Sequence, residues 1–208
     1  KFGDINASVD WNNYLKSVYT NADFINKGKK IINFKGTIKP FDELENLNLV
    51  AKIFPLNLKT IEPIFKDYAS NFKGELTGKI WVKGTFDQPV YNGNIFCSEA
   101  SLMVNYLKTN YTFNDFLYLD GDRFSLQNLE LKDELQNSAF VNGNILHSNF
   151  SDYYFDLFGK FKNFQLLNTE IEDNELYYGT AYATGSYGVN GPINDVAIWT
   201  EAKSNKET

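Results

Sequence analysis

The chain has 208 residues, 43% hydrophobic and 22% charged, with a net charge of −6. That apolar content excludes a disordered chain, and the acidic balance, with no basic patch, excludes nucleic acid as a partner. Cys97 is the one cysteine, which excludes an internal disulfide or a metal–thiolate cluster.

No apolar run approaches the roughly 18 residues that a membrane-spanning helix needs, and no signal peptide is evident. With Lys1 first and a single Met, the sequence reads as a segment of a larger protein, for which an envelope location stays open.

In chain order, Ile5, Ala7, Val9 and Trp11 alternate with Asn6, Ser8 and Asp10. Successive side chains of a strand point to opposite faces, so this is a strand with one dry face and one wet face. Val18 to Ile25 reads as a weaker strand, and Asn26 to Lys30 as a polar turn. Ile32, Phe34, Gly36 and Ile38 alternate again, as do Leu47, Leu49, Ala51 and Ile53, before Pro55.

Leu58 to Phe72 departs from this pattern. Ile61, Ile64, Phe65 and Tyr68 recur at i, i+3, i+4 and i+7, the spacing of one helix face. Thr60 is placed to cap this short amphipathic helix, and Pro63 is tolerated in its first turn. The helix is expected to plug one end of the sheet. A lid across the dry face is the less favoured alternative.

Strands resume with Leu76, Gly78, Ile80 and Val82 on the dry side and Trp81 as an apolar exception on the wet side. Gly84 to Pro89 is a break, and the strand restarts at Val90 and carries Ile95. Ala100, Leu102, Val104 and Tyr106 follow, then Phe116 to Leu119 and Phe124 to Leu131 around an Asp120-Gly121-Asp122 turn. Ala139, Val141, Gly143 and Ile145 make the next dry face, and Tyr153, Phe155, Leu157, Gly159 and Phe161 another. A long strand from Leu176 carries Gly179, Ala181, Ala183, Gly185, Tyr187 and Val189, whose small members permit close approach to the sheet. Gly191-Pro192 turns the chain into Val196 to Ala202, and Ser204 to Thr208 is polar and expected to fray.

A faint repeat accompanies the pattern. Asn92-Gly93-Asn94-Ile95 recurs as Asn142-Gly143-Asn144-Ile145, and Lys35-Gly36-Thr37-Ile38 is echoed by Lys83-Gly84-Thr85-Phe86. A spacing of roughly fifty residues suits stacked units.

Catalytic chemistry finds little footing. His147 is the only histidine and Cys97 lies on an alternating strand, so both read as structural. Asp115, Asp120 and Asp122 lack the glycine and closing glutamate of a calcium loop and read as a turn. Asp152, Asp156, Glu170, Glu172, Asp173 and Glu175 offer carboxylate pairs, as any acidic surface does. No phosphate-binding glycine loop is present. The expectation is a protein that is not an enzyme, with no catalytic residues, no metal and no cofactor.

The segment from Gly74 to Ile95, GELTGKIWVKGTFDQPVYNGNI, resembles the G-x-L-x-G-x-I-x-V-x-G-T-x-x-x-P-x-x-x-G-x-I signature of the TamB family. Further stretches are similar in order: Ala100 to Phe113, Val141 to Phe150, and Leu176 to Gly191 with its YYGxAYxxGxxxxxG form. The resemblance covers about residues 40–203 and is nearest to the Bacteroidota form, in its C-terminal region. It implies an AsmA-like, bridge-like lipid transfer protein. The implied fold is a long, strongly curved, largely antiparallel sheet forming a hydrophobic groove, with residues 1–208 as part of one elongated domain.

The resemblance also implies a role: phospholipid conducted between inner and outer membrane, and support for outer-membrane protein assembly with a barrel of the TamA type. The implied place is the periplasm, with the full protein anchored by an N-terminal membrane helix that this segment lacks. The groove contacts expected from the alternation are Leu76, Ile80, Val82, Ile95, Leu102, Val104, Val141, Ile145, Phe155, Leu157, Ala181, Ala183 and Val189. Their partners would be phospholipid acyl chains.

Three other readings compete. The first is a secreted carbohydrate-binding or adhesive β-sandwich, with Trp81 or Trp199 as stacking platforms. The second is a piece of an outer-membrane barrel, and the third an enzyme on a β-solenoid.

Overall fold

The computed structural model describes residues 3–173 and 178–204. Twelve strands are present among them: β1 (Asp4–Asn12), β2 (Ser17–Asn26), β3 (Lys29–Ile38), β4 (Leu47–Asn57), β5 (Ala69–Gly84), β6 (Pro89–Val104), β7 (Thr109–Asp120), β8 (Arg123–Lys132), β9 (Ser138–Ser148), β10 (Ser151–Thr169), β11 (Gly179–Pro192) and β12 (Ala197–Ser204). They form one sheet in sequential order from β1 to β12, and β1 and β12 do not pair, so the sheet is not closed into a barrel. A single sheet also replaces the two sheets that a sandwich requires.

The expected helix is shorter than its periodicity suggested. One 3₁₀ turn (Leu58–Ile61) leads into α1 (Glu62–Phe65), and Ala69 already begins β5. Asn57, not Thr60, caps the turn, its side chain accepting the Lys59 N–H at 2.8 Å. Pro63 sits in the first turn of α1, as expected. A Glu62 carboxylate oxygen accepts the Phe72 N–H at 2.9 Å, which ties the helix to the strand that succeeds it.

Two further expectations shift. The alternation divides Val90 to Tyr106 into two strands, yet β6 runs unbroken from Pro89 to Val104. The long strand expected from Leu176 is described from Gly179, because residues 174–177, Glu175 among them, lie outside the described residues; so do 205–208.

The chain divides into two compact units. The first comprises Lys1–Leu56, Leu76–Phe96 and Tyr118–Asp122; the second comprises Asn57–Glu75, Cys97–Leu117 and Arg123–Thr208.

In the first unit the antiparallel register aligns the dry residues of four strands into rows. One row is Ile5, Phe24, Ile32 and Ile53, and the next is Ala7, Ala22, Phe34 and Ala51. Val9, Thr20, Gly36 and Leu49 form the third, and Trp11, Val18, Ile38 and Leu47 the fourth. Thr20 is the one polar member.

In the second unit similar rows cross β8 to β11. Phe124, Ile145, Phe155 and Gly191 are aligned, as are Leu126, Gly143, Leu157 and Val189. Leu129, Val141, Gly159 and Tyr187 follow, then Leu131, Ala139, Phe161 and Gly185.

Strand β8 steps from Leu126 to Leu129 and β10 from Phe161 to Phe164, each with a register shift. An extra residue at each β-bulge swaps the parity of the strand, so without compensation the apolar set would change faces. The sequence compensates by spacing its dry residues three apart there. Asn128 (φ 56°) and Asn163 (φ 51°) take the left-handed conformation at these bulges. Their N–H groups donate to Asn142 Oδ1 at 2.8 Å and to Thr184 Oγ1 at 3.0 Å. Glu99 (φ 48°) repeats the device between buried Cys97 and buried Ala100, its N–H donating to Asn114 Oδ1 at 3.1 Å.

The second unit also has a filled interior. Tyr111, Ala139, Phe161, Phe164 and Ala183 form one buried cluster, and Leu126, Leu129 and Val141 another; Leu131 and Tyr187 pack against both. Tyr111 stacks on Phe164 with ring centres 4.8 Å apart, and its hydroxyl donates to the Gln165 carbonyl at 2.8 Å. Burial holds that phenol protonated, with its pKa pushed up to about 12.

Asp133, in the β8–β9 turn, accepts the backbone N–H groups of Leu135, Asn137 and Gln165 at 3.0, 2.9 and 3.0 Å, fastening that turn to β10.

Replacing Phe161 by Ala should cost about 3–5 kcal/mol of stability, the usual range for emptying a buried aromatic site. Phe158, three residues before it, has its side chain 56% exposed on the wet side, and Phe158→Ala should shift stability by only about 0.5 kcal/mol. Urea unfolding of the two variants measures the difference.

Candidate functional site: the dry faces

The thirteen residues expected to line a groove fall in both units. Leu76, Ile80, Val82 and Ile95 belong to the first; the other nine belong to the second. Leu76, Val141 and Ala183 are buried, and the remaining ten are half-buried.

In β5 and β6, Gly78 lies against Ile95, and Gly93 against Ile80, so the strands approach closely where a Cβ is missing. In the second unit Leu157 pairs with Val189, Phe155 lies beside Ile145, and Ala181 and Ala183 lie opposite Leu167 and Phe164. Val104 packs against the Tyr111–Phe161 cluster, and Leu102, half-buried, is two residues before it on the same strand face. The register brings the β9–β11 members of the set together on one face.

The two units differ in what covers these faces. In the second, the rows of β8–β11 contact their own side chains, although Ile198 of β12, which continues the Leu157–Val189 row, is 65% exposed. Phe65 of α1 packs on Tyr153 with ring centres 5.7 Å apart and on Phe72 at 6.3 Å. Tyr153 also meets His147 at 6.3 Å, and His147 contacts Phe124 at 5.1 Å and stacks on Phe150 at 4.7 Å. This aromatic group occupies the end of the dry face next to the β9–β10 turn, the plugging role expected for the helix.

The first unit is different. Ile5 is 60% exposed, Val9 65% and Trp11 49%, although all three continue rows that run inward through Phe24, Thr20 and Val18. Half-buried Ile32, Ile53, Phe34, Leu49 and Ile38 make up much of the remainder. Alternation alone does not separate a covered dry face from an uncovered one. The rows of β1–β4 are as apolar as those of β8–β11, and Phe24 meets Phe34 edge to face at 5.6 Å, yet Ile5 and Val9 on β1 stay exposed.

The titratable candidates resolve as packing. Cys97 is 1% exposed, and burial, aided by the nearby Asp115 carboxylate, pushes its thiol up to about 12. His147 is buried, with Nδ1 accepting the Phe150 N–H at 3.3 Å, which closes the β9–β10 turn. Asp120 and Asp122 flank the β7–β8 turn, and Asp115 lies within β7. Among the described residues no group of three or more His, Cys, Asp and Glu side chains is arranged to hold a metal ion.

In the first unit a cavity of about 610 Å³ opens between the β3–β4 and β5–β6 loops, lined by Phe41, Asp42, Asn46, Phe86 and Asp87 among others. It lies at the loop ends, and its Phe41 meets Trp11, the end of the fourth apolar row, with ring centres 6.5 Å apart.

Comparisons with protein-family models, with curated proteins and with solved structures return no match for this chain.

A thiol raised to about 12 is almost wholly protonated at pH 8, roughly one thiolate in 10⁴. Cys97 should therefore resist a disulfide exchange reagent in the folded protein and react within minutes in 6 M guanidinium, about the time a free thiol takes. Absorbance of the released thiolate follows both reactions, and rapid labelling of the folded chain would contradict the burial described above.

Proposed function

We propose that this chain is a non-enzymatic, lipid-lined segment of a TamB-type protein of the cell envelope. Its uncovered dry face takes up phospholipid acyl chains, which slide along it between inner and outer membrane. The whole protein supports outer-membrane protein assembly, meeting a TamA-type barrel through regions outside this segment. The observation that carries this reading is the set of four in-register apolar rows of β1–β4, in which Ala51 and Leu47 are buried and the other members stay half-buried to exposed.

The physics of such a face is simple. An acyl chain gains about 0.8 kcal/mol for each CH₂ moved out of water. Neighbours within a row lie about 4.8 Å apart, so a chain lying along a row exchanges one apolar contact for another at each strand. The gain is then nearly level along the path, and movement needs no reacting group. Thr20, the single hydroxyl in the rows, interrupts this only once.

Native mass spectrometry tests the reading. The wild-type chain purified from bacterial membranes should carry phospholipid adducts. Ile5→Glu with Val9→Glu places two carboxylates on the face at positions already 60% and 65% exposed, so the fold should survive with a loss of about 0.5 kcal/mol per site. The adducts should fall at least tenfold in that variant. Adducts that persist unchanged, or a wild-type chain that never carries lipid, would remove the support for this function.

A further inference from the structure

The wet face of β9–β12, opposite the apolar rows of the second unit, carries an arrangement that the acyl-chain reading does not use. Here too the register builds rows. Asn142, Phe158, Gly188 and Trp199 are aligned across the four strands. On one side of them runs the row Asn144, Asp156, Asn190 and Ala197; on the other, Phe140, Lys160, Ser186 and Glu201. An aromatic row is thus set between two polar ones.

Phe158 is 56% exposed and Trp199 55%. Large aromatics left so open on a wet face expose apolar area to water without a packing gain. Gly188, between them, is buried because the indole of Trp199 lies over it: a Cβ at Gly188 would meet Nε1 at 2.2 Å. The glycine lets the indole lie flat against the strand. The result is a low aromatic surface spanning two strand spacings, about 9–10 Å from Phe158 to Trp199.

The adjoining polar row is held in place. The Tyr154 hydroxyl donates to Asn190 Oδ1 at 2.9 Å, and Asn190 Nδ2 donates to Asp156 Oδ1 at 3.5 Å. Asp156 is exposed, and an ionised carboxylate accepts about four hydrogen bonds, leaving capacity for hydroxyl donors from a ligand.

We infer that this patch is a binding site for an uncharged oligosaccharide. A pyranose presents one apolar C–H face and a rim of hydroxyls, which is the complement of a flat aromatic row bordered by a carboxylate and amides. Charge narrows the choice. Within these rows Asp156, Glu201 and Glu130, which pairs with Phe140, stand against Lys160, with Lys132 and Lys203 on the next row of the same face. Directly beside the Asp156 and Glu201 carboxylates an anionic group is disfavoured, and an aliphatic lipid would leave the carboxylate and amides without partners. The site lies wholly within the second unit and stands independently of the acyl-chain reading.

Calorimetric titration of the 208-residue chain with cellohexaose, chitohexaose and laminarihexaose, and with a heparin hexasaccharide, tests the site. At least one neutral sugar should bind and heparin should not. Phe158→Ala and Trp199→Ala should each weaken binding about tenfold, a step of 1.4 kcal/mol. Asp156→Asn should weaken it too, whereas Trp199→Phe should retain it. Trp81→Phe serves as control, since Trp81 is on the first unit with Lys79 Nζ 4.6 Å from its ring centre, and should leave affinity unchanged. Thermal melts establish that each variant is folded. Absence of binding by all three neutral sugars, preference for heparin, or folded Phe158 and Trp199 variants that bind as wild type would each overturn the inference.

Discussion

Cross-strand register is the constraint on which everything else in this chain depends. Each strand alternates between faces, so a sheet has a continuous dry side only if every neighbour pairs in the matching parity. The sequential order β1 to β12 makes this a local problem, solved hairpin by hairpin. Where a bulge adds a residue, the parity must be restored within the strand. Leu126 to Leu129, Phe161 to Phe164 and Cys97 to Ala100 do so with a step of three, and a left-handed residue absorbs the extra length. Side chains on the neighbouring strand then take up the displaced N–H. Bulges increase local twist, and here they leave the apolar rows unbroken.

The same rows have different fates. In the second unit Tyr111, Phe161 and Phe164 interlock with Ala139 and Ala183, and the small partners leave room for the large ones. Tyr187 lies over Gly159 in the same way, a Cβ there falling 2.8 Å from its ring. Large against small is how a core reaches close packing. In the first unit Ile5, Ala7, Val9 and Trp11 end their rows on an open strand, and Phe24 against Phe34 is the aromatic pair among mostly aliphatic members. Such a face is apolar without being self-filling. That contrast is why the acyl-chain reading rests on β1–β4, although the motifs that suggest a family lie largely elsewhere.

Much of the fold was legible because period-2 alternation is a short-range signal. The dry residues of β3, β4, β9 and β10 were read correctly from their own spacing. The bulges explain most of what was misread. At Glu99 the parity change looks like a strand ending, so β6 was divided in two. The i, i+3, i+4 pattern of Ile61, Ile64 and Phe65 looks like a longer helix, but Phe65 packs on Tyr153 and on Phe72, and β5 starts earlier than the pattern implies. Of the candidate site, membership of the dry face was legible for Val141, Ile145, Phe155, Leu157 and Val189. Their degree of burial was not, because it depends on what lies across the face. That is set by contacts such as Tyr111 with Phe164, distant in sequence. Of the proposed glycan platform, Trp199 was legible as an exposed aromatic, but its pairing with Phe158 across Gly188 arises only through the register of β10, β11 and β12.

The three tryptophans allow the central claim, that the dry face of the first unit is open to acyl chains, to be tested by position. Trp11 lies on that face in the row with Val18, Ile38 and Leu47, whereas Trp199 lies on the wet face of the second unit. Bromine on a lipid tail quenches indole fluorescence only near contact. A chain with Trp81→Phe and Trp199→Phe, leaving Trp11, should be strongly quenched by phospholipid brominated midway along its acyl chains. A chain with Trp11→Phe and Trp81→Phe, leaving Trp199, should not. Equal quenching of the two, or none of Trp11, would contradict an acyl chain lying on the rows of β1–β4.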